Sequence, residues 1–212
     1  MRWLRHDAPL SSCLSASGAA RSMAKAVAIA DCAADSNTYA RACELATETG
    51  DVGKVHAAGH WQNPAAHQHL ASALDARLAY ALRPTFEWYY CRGAFFHNDA
   101  HYDARLFGIW YIEGPPMQLV FPRASLRLDI ARSSVVVFDP FEVHGVLAPG
   151  SLIYSASDYQ NVPASVFVGF ELDISADVAD AFDIDDDLSG QIISSGTRVD
   201  PASGAIRASS SD

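Results

Sequence analysis

The sequence predicts an α+β protein in which helices come first and an all-β sandwich or barrel of the jelly-roll kind follows. Three observations point there. The first 83 residues are rich in Ala and poor in β-branched residues. From Thr85 to Ile174, short runs of Val, Ile, Phe, Tyr and Trp alternate with Gly and Pro punctuation, and no helical pattern interrupts them. With 212 residues, 50% hydrophobic and 19% charged, the chain has room for one globular domain with or without an appendage, and is too apolar for a disordered one.

Taken in order, Ala24 to Ala34, Thr38 to Thr47 and Pro64 to Leu82 read as helices, broken at Gly50-Asp51, Gly53 and Asn63-Pro64. In the last of them Leu70, Leu74 and Leu78 recur every four residues and make one apolar stripe, and Asn63 followed by Pro64 is an N-cap with proline at the first helical position. Candidate strands are Phe86 to His97, Leu106 to Ile112, Gln118 to Phe121, Leu126 to Ile130, Val135 to Phe138, Val143 to Leu147 and Val166 to Asp173. Residues 1–83 would then be a helical region buttressing one sheet, 84–182 the β core, and 183–212 an acidic, Ser/Gly/Ala-rich tail, solvated and mobile. Within the acidic run Asp183-Ile184-Asp185-Asp186-Asp187 and its continuation, Asp185 to Gly190 lacks the alternating ligand pattern and the closing Glu of an EF-hand loop.

The net charge of -10 is unevenly placed. From Asp173 onward nine Asp face Arg198 and Arg207 alone, so the acidity belongs mainly to the tail. No Lys/Arg cluster tracks a phosphate backbone, and no nucleic-acid partner is expected. Cys13, Cys32, Cys43 and Cys91 form no C-x-x-C pair, which fits reduced thiols in a cytoplasmic protein. Ser11 to Ala20 is too polar for the apolar core of a signal peptide, and no run approaches 18 uninterrupted apolar residues, so no membrane association is expected either. Oligomeric state leaves no mark on the sequence.

The chemistry concentrates in Phe95-Phe96-His97-Asn98-Asp99-Ala100-His101-Tyr102-Asp103. His97 and Asp99 are two apart at the end of an apolar strand, so alternation sends both side chains to one face. An isolated His144 follows 45 residues beyond Asp99, in Phe138-Asp139-Pro140-Phe141-Glu142-Val143-His144-Gly145-Val146, and meets them if the sheet rolls back. Two imidazoles and one carboxylate suit non-haem Fe(II) and leave positions for a bidentate acid and O2.

On these residues the chain resembles the 2-oxoglutarate/Fe(II)-dependent dioxygenases. The likeness spans roughly Tyr89 to Leu172: Tyr90-Cys91-Arg92-Gly93-Ala94-Phe95-Phe96-His97-Asn98-Asp99, then Gly114 to Leu119 with Phe121-Pro122, then Val135 to Phe138, then His144. The resemblance implies a double-stranded β-helix, Fe(II) held by His97, Asp99 and His144, and O2 and 2-oxoglutarate as co-substrates. It also implies oxidation of a small molecule or of an amino-acid or peptide substrate. Gly93, on the ligand-facing parity, would leave room for a ligand or a crossing strand.

One departure stands out. Members of that family usually carry an Arg or Lys some ten residues past the distal His to clamp the far carboxylate of 2-oxoglutarate, and between Gly145 and Leu172 this sequence has neither. Candidates elsewhere are Arg105, which opens the strand after the metal motif, Tyr111 on the same strand and parity, and Tyr89, an even separation from His97. Ser155, Ser157 and Tyr159 are neutral substitutes, and His101 is a substrate contact or a plain loop residue. His56, His60, His67 and His69 read as surface histidines near the Pro64 helix; the Glu of H-E-x-x-H is missing. Two other functions remain open: a cupin-like metal enzyme that needs no oxoacid, and a barrel that has lost catalysis and serves as a binding module.

Overall fold

The computed structural model describes residues 1–5, 12–14, 20–22, 24–99, 101–102, 105–184 and 198–207. Asp103, most of the acidic run and most of Ser11 to Ala20 lie outside the described residues. In chain order the strands are β1 (Arg2–Arg5), β2 (Ser12–Leu14), β3 (Ala20–Ser22), β4 (Ala26–Asp31), β5 (Val55–Trp61), β6 (Leu82–Cys91), β7 (Ala94–His97), β8 (Arg105–Glu113), β9 (Met117–Phe121), β10 (Leu126–Ile130), β11 (Ser134–Phe138), β12 (His144–Leu147), β13 (Ser165–Asp173), β14 (Arg198–Val199) and β15 (Ile206–Arg207). The helices are α1 (Ser36–Leu45), α2 (Pro64–Ala73), α3 (Ala76–Ala81) and α4 (Ala176–Phe182). Among the described residues, no helix is long and apolar enough to cross a membrane.

A seven-stranded sheet in the order β1-β4-β11-β8-β13-β6-β5 faces a four-stranded sheet in the order β10-β9-β12-β7. From β6 onward the chain passes between them, large to small at β7, back at β8, to the small sheet for β9 and β10, and so on to β13. Every pairing is antiparallel. Winding of this kind, with β11, β8, β13 and β6 as neighbours in one sheet, is a double-stranded β-helix, and helices cover the outer face of the large sheet.

Alternation explains the packing. On β8, Leu106, Trp110 and Ile112 join the outer cluster with Leu70, Leu78 and Phe182 of the helices, while Phe107, Ile109 and Tyr111 face the small sheet. Because β13 is buried on both faces, Ser165 to Phe170 reads as a near-continuous apolar run. By contrast β10 exposes Arg127 and Asp129 and buries Leu128 and Ile130. The indole of Trp110, fully buried, donates to Cys32 O at 2.6 Å, so its N–H is not left unpaired in the outer core.

The helical elements hold with two changes. Asp35 caps α1 through Asn37 N and Thr38 N, at 2.9 and 2.8 Å. Asn63 caps α2 through Ala65 N and Ala66 N, both at 3.1 Å, with Pro64 at the first turn. The single helix expected from Pro64 to Leu82 is two, because Leu74 adopts an extended conformation and Asp75 caps α3 afresh. Leu70, Leu74 and Leu78 nevertheless all stay buried, each worth roughly 1.5–3 kcal/mol.

Ala24 to Ala34, expected as a helix, instead contains β4, inserted between β1 and β11. Its alanines carry high helix propensity, but β11 offers an open ladder, and small side chains fit a strand covered on both faces. His56 and His60, expected beside a helix, lie on β5, kinked at Gly59 (φ 104°). Residues 1–83 therefore supply three strands of the large sheet as well as helices.

The tail also departs from expectation. Residues 198–207 form the β14–β15 hairpin against the outer face of the small sheet, where Val199 and Ile206 pack on the cluster of Phe96, Val120, Val143 and Leu147. Phe96 N donates to Pro201 O at 3.0 Å, and Tyr154 N to Ala202 O at 2.9 Å.

Candidate metal centre

His97 ends β7 and His144 begins β12, and the ladder sets them directly opposite one another. Their ring centroids are 4.5 Å apart. Asp99 stands just beyond β7, where its N–H donates to Pro140 O at 2.8 Å and ties it to the turn that leads into β12. Asp139 holds that turn in place: Oδ1 accepts from Phe141 N at 3.0 Å and Oδ2 from Ala24 N at 2.9 Å.

One local device orients both imidazoles. His97 Nδ1 lies 2.7 Å from Phe95 O, and His144 Nδ1 lies 2.8 Å from Glu142 O, in each case the carbonyl two residues earlier. A carbonyl accepts only, so in the neutral form of each ring the proton sits on Nδ1 and Nε2 presents the lone pair. Those Nε2 atoms lie 3.8 Å (His97) and 3.6 Å (His144) from Asp99 Oδ2. One donor atom from each residue falls within 4.8 Å of the others, and the set of two imidazoles and a carboxylate fits a divalent transition metal. Burial, reinforced by the neighbouring His97, pushes His144 down to about 4, so at neutral pH it holds the uncharged form that ligates. Phe138 closes over its ring at a centroid distance of 4.8 Å. A side chain at Gly145, the next residue, would run into the Phe96 ring and Ala94 O, where β7 and β12 cross closely.

The centre opens into a cavity of about 250 Å³ between the two sheets. Its walls are apolar, from Phe107, Ile109, Leu119, Ile130, Val146 and Phe167, with Cys91, Tyr111 and Ser165 among the remainder. A second chamber of about 240 Å³ adjoins it, lined by Arg83, Glu87, Arg105 and Glu171, and the two share Tyr89, Tyr102 and Phe107 as a partition.

The three candidates for co-substrate contacts separate across this partition. Arg105 lines the second chamber, not the metal cavity, and is held there by Glu171. Tyr89 borders both chambers and donates to Glu87 Oε2 at 2.6 Å, with Tyr102 Oη 3.4 Å away. Burial raises its pKa far above the ordinary phenol value. Tyr111 lies in the metal cavity, where its hydroxyl is 2.6 Å from Pro115 O and shares a 2.8 Å hydrogen bond with Ser165 Oγ. It too is raised, mainly by burial.

His101 lines the cavity mouth against Tyr102. Ser155 and Ser157 bond each other in an exposed loop at 2.8 Å, and Tyr159 donates to Val146 O at 3.1 Å, so these hydroxyls are spent elsewhere. The space expected above Gly93 (φ 64°) is filled by the Tyr159 ring. Sequence reasoning missed Ser165 and Cys91 as cavity residues; their inward parity, opposite one another on β13 and β6, was the available signal.

Among the described residues, no Lys or Arg of this cavity is placed to pair with the far carboxylate of 2-oxoglutarate. Apart from Arg21 and Arg207, whose side chains lie outside the described residues, every Lys and Arg is placed, and none lines the cavity.

Fold and cluster together define a double-stranded β-helix protein with a candidate mononuclear metal centre. No family model matches the chain, and no curated protein matches it. Among solved structures, it is similar to a prolyl-4-hydroxylase from Pseudomonas putida at 19% identity, covering 70% of this chain and 93% of that one, with a TM-score of 0.38. A cupin 2 domain-containing protein from Halorhodospira halophila matches at 11% identity over 64% of this chain and 79% of that one, with a TM-score of 0.32. A cupin domain from Bordetella pertussis Tohama I matches at 15% identity over 42% and 81%, with a TM-score of 0.28. At these values the architecture stands on the observed strand order.

Proposed function

We propose that this protein is a non-haem Fe(II) oxygenase acting on a small molecule or an amino-acid or peptide substrate. The observation that carries the reading is the pair of backbone-anchored imidazoles whose Nε2 atoms converge on Asp99 at the mouth of an apolar cavity. Fe(II) held by His97, Asp99 and His144 would supply O2 binding and activation. The chain's own part is to hold the three donors on sheet and tied loop, and to keep bulk water out with Phe107, Phe138 and Phe167. His101 and Tyr102 stand at the entrance, where an incoming substrate meets them.

A cupin-like enzyme whose substrate meets the metal without an oxoacid is the second reading, favoured by the cation-free cavity wall. A barrel without catalysis fits less well, because the anchored tautomers would then serve no purpose.

Anaerobic Fe(II) titration tests the proposal. Wild-type protein and His101→Ala should each bind one equivalent, while His144→Ala should weaken binding beyond the about 10- to 100-fold typical of losing a residue that merely supports a ligand. Equal loss in both variants would overturn it.

A further inference from the structure

The two ends of the metal cavity differ in a way that selects its ligand. β8 runs from Phe107, which packs with Phe138 beside His144, to Tyr111, four residues and so roughly 13 Å further along. At that inner end stand Tyr111, Ser165 and Cys91, all buried. Two hydroxyls bring two protons: the Tyr111 oxygen is 2.6 Å from Pro115 O, which takes one, and the other lies in the bond Tyr111 and Ser165 share. Neither is spare for an anion. Burial holds the Cys91 thiol protonated, with its pKa pushed up to about 12.

No described Lys or Arg lines the cavity. Arg105 is paired with Glu171 and Arg83 with Asp173 at 3.0 Å, and Arg92, outside the lining, donates to Gly50 O at 2.5 Å while its buried Nε has no partner. A carboxylate pushed to the inner end would lose its water and gain no cation from the lining, only the weak Cys91 S–H donor, which is the costly way to bury a charge. An alkyl chain there would lie between Ile109, Leu119, Ile130 and Phe167, and each buried methylene strengthens binding about fourfold.

We infer that this cavity takes a monocarboxylic 2-oxo acid with an apolar side chain, its oxoacid end at the triad and its chain toward Tyr111, in place of 2-oxoglutarate. The inference rests on the metal-centre reading of His97, Asp99 and His144.

The full chain, loaded with Fe(II) without oxygen, is titrated with 2-oxobutanoate, 2-oxohexanoate and 2-oxoglutarate, following heat and the visible charge-transfer band. 2-Oxohexanoate should bind at least about tenfold more tightly than 2-oxobutanoate, as two more buried methylenes require, and more tightly than 2-oxoglutarate by at least as much. Ile109→Ala should move the preference toward a longer chain, such as 2-oxooctanoate; if that variant does not fold, the wild-type series still decides. Binding of 2-oxoglutarate equal to or tighter than that of 2-oxohexanoate overturns the inference, as does indifference to chain length. Fe(II) binding with no response to any acid overturns it while leaving the metal centre standing, and failure to bind Fe(II) removes both.

Discussion

The two chambers on either side of Tyr89, Tyr102 and Phe107 are nearly equal in size and opposite in chemistry. The inner one holds the three ligand side chains and, among the described residues, no Lys or Arg, whereas the outer one gathers Arg83, Arg105, Glu87 and Glu171. Strand parity does not distinguish them: Arg105 shares its inward face with Phe107, Ile109 and Tyr111. Position along the strand does. As the first residue of β8, Arg105 reaches the sandwich edge, where Glu171 near the end of β13 meets it. Alternation thus says which face a side chain takes, and only the register between strands says which compartment.

Placing a charge in the inner chamber is the most direct way to break this contrast. Leu119 on β9 is 2% exposed and lines the metal cavity, so Leu119→Asp should cost about 3–5 kcal/mol, as an uncompensated buried charge does, read as a fall in the urea midpoint. A cost under about 1 kcal/mol would show that water reaches the cavity freely.

Tyr111→Phe asks a finer question. It strands Ser165 Oγ and Pro115 O in a buried setting, and should cost about 1–3 kcal/mol while leaving Fe(II) affinity unchanged. If the variant lowers Fe(II) affinity in the anaerobic titration, the inner end is coupled to the metal end and the two are not separate.

Arg105→Ala should have the smallest effect. The Arg105 side chain is 38% exposed, solvent screens its pair with Glu171, and the loss in the same urea experiment should stay under about 1 kcal/mol. Oxoacid affinity should not change; a fall would return Arg105 to the co-substrate site from which the geometry removes it.

Much of the β core was legible because its strands pack against something on at least one face. Leu126 to Ile130 alternates cleanly since one side meets water, and Val135 to Phe138 is a solid apolar run since neither does. His97, Asp99 and His144 were legible for a related reason: a polar pair at the end of an apolar strand and a lone histidine after another are hard to place in a core. β4 and β5 were not legible. Ala26 to Asp31 and Val55 to Trp61 carry helix formers or mixed polar residues, and their strand state comes from open ladders on β11 and β6, hydrogen-bond partners far away in the chain. The docking of residues 198–207 was hidden likewise, since two short apolar contacts, Val199 and Ile206, hold a segment whose composition reads as solvated.

The facing register of His97 and His144 bears on how readily such a centre could be inherited or rebuilt. Two residues opposite one another on adjacent antiparallel strands keep their spacing for as long as the ladder stands. Loops on either side can therefore be lengthened, trimmed or exchanged for those of another protein without resetting the distance between the imidazoles. Asp99 has no such guarantee, since it lies past the end of its strand, held by backbone bonds to Pro140 and to Tyr102 rather than by a ladder. Of the three donors it is the one a graft would have to re-establish, and the 139–143 turn is the piece that must travel with it.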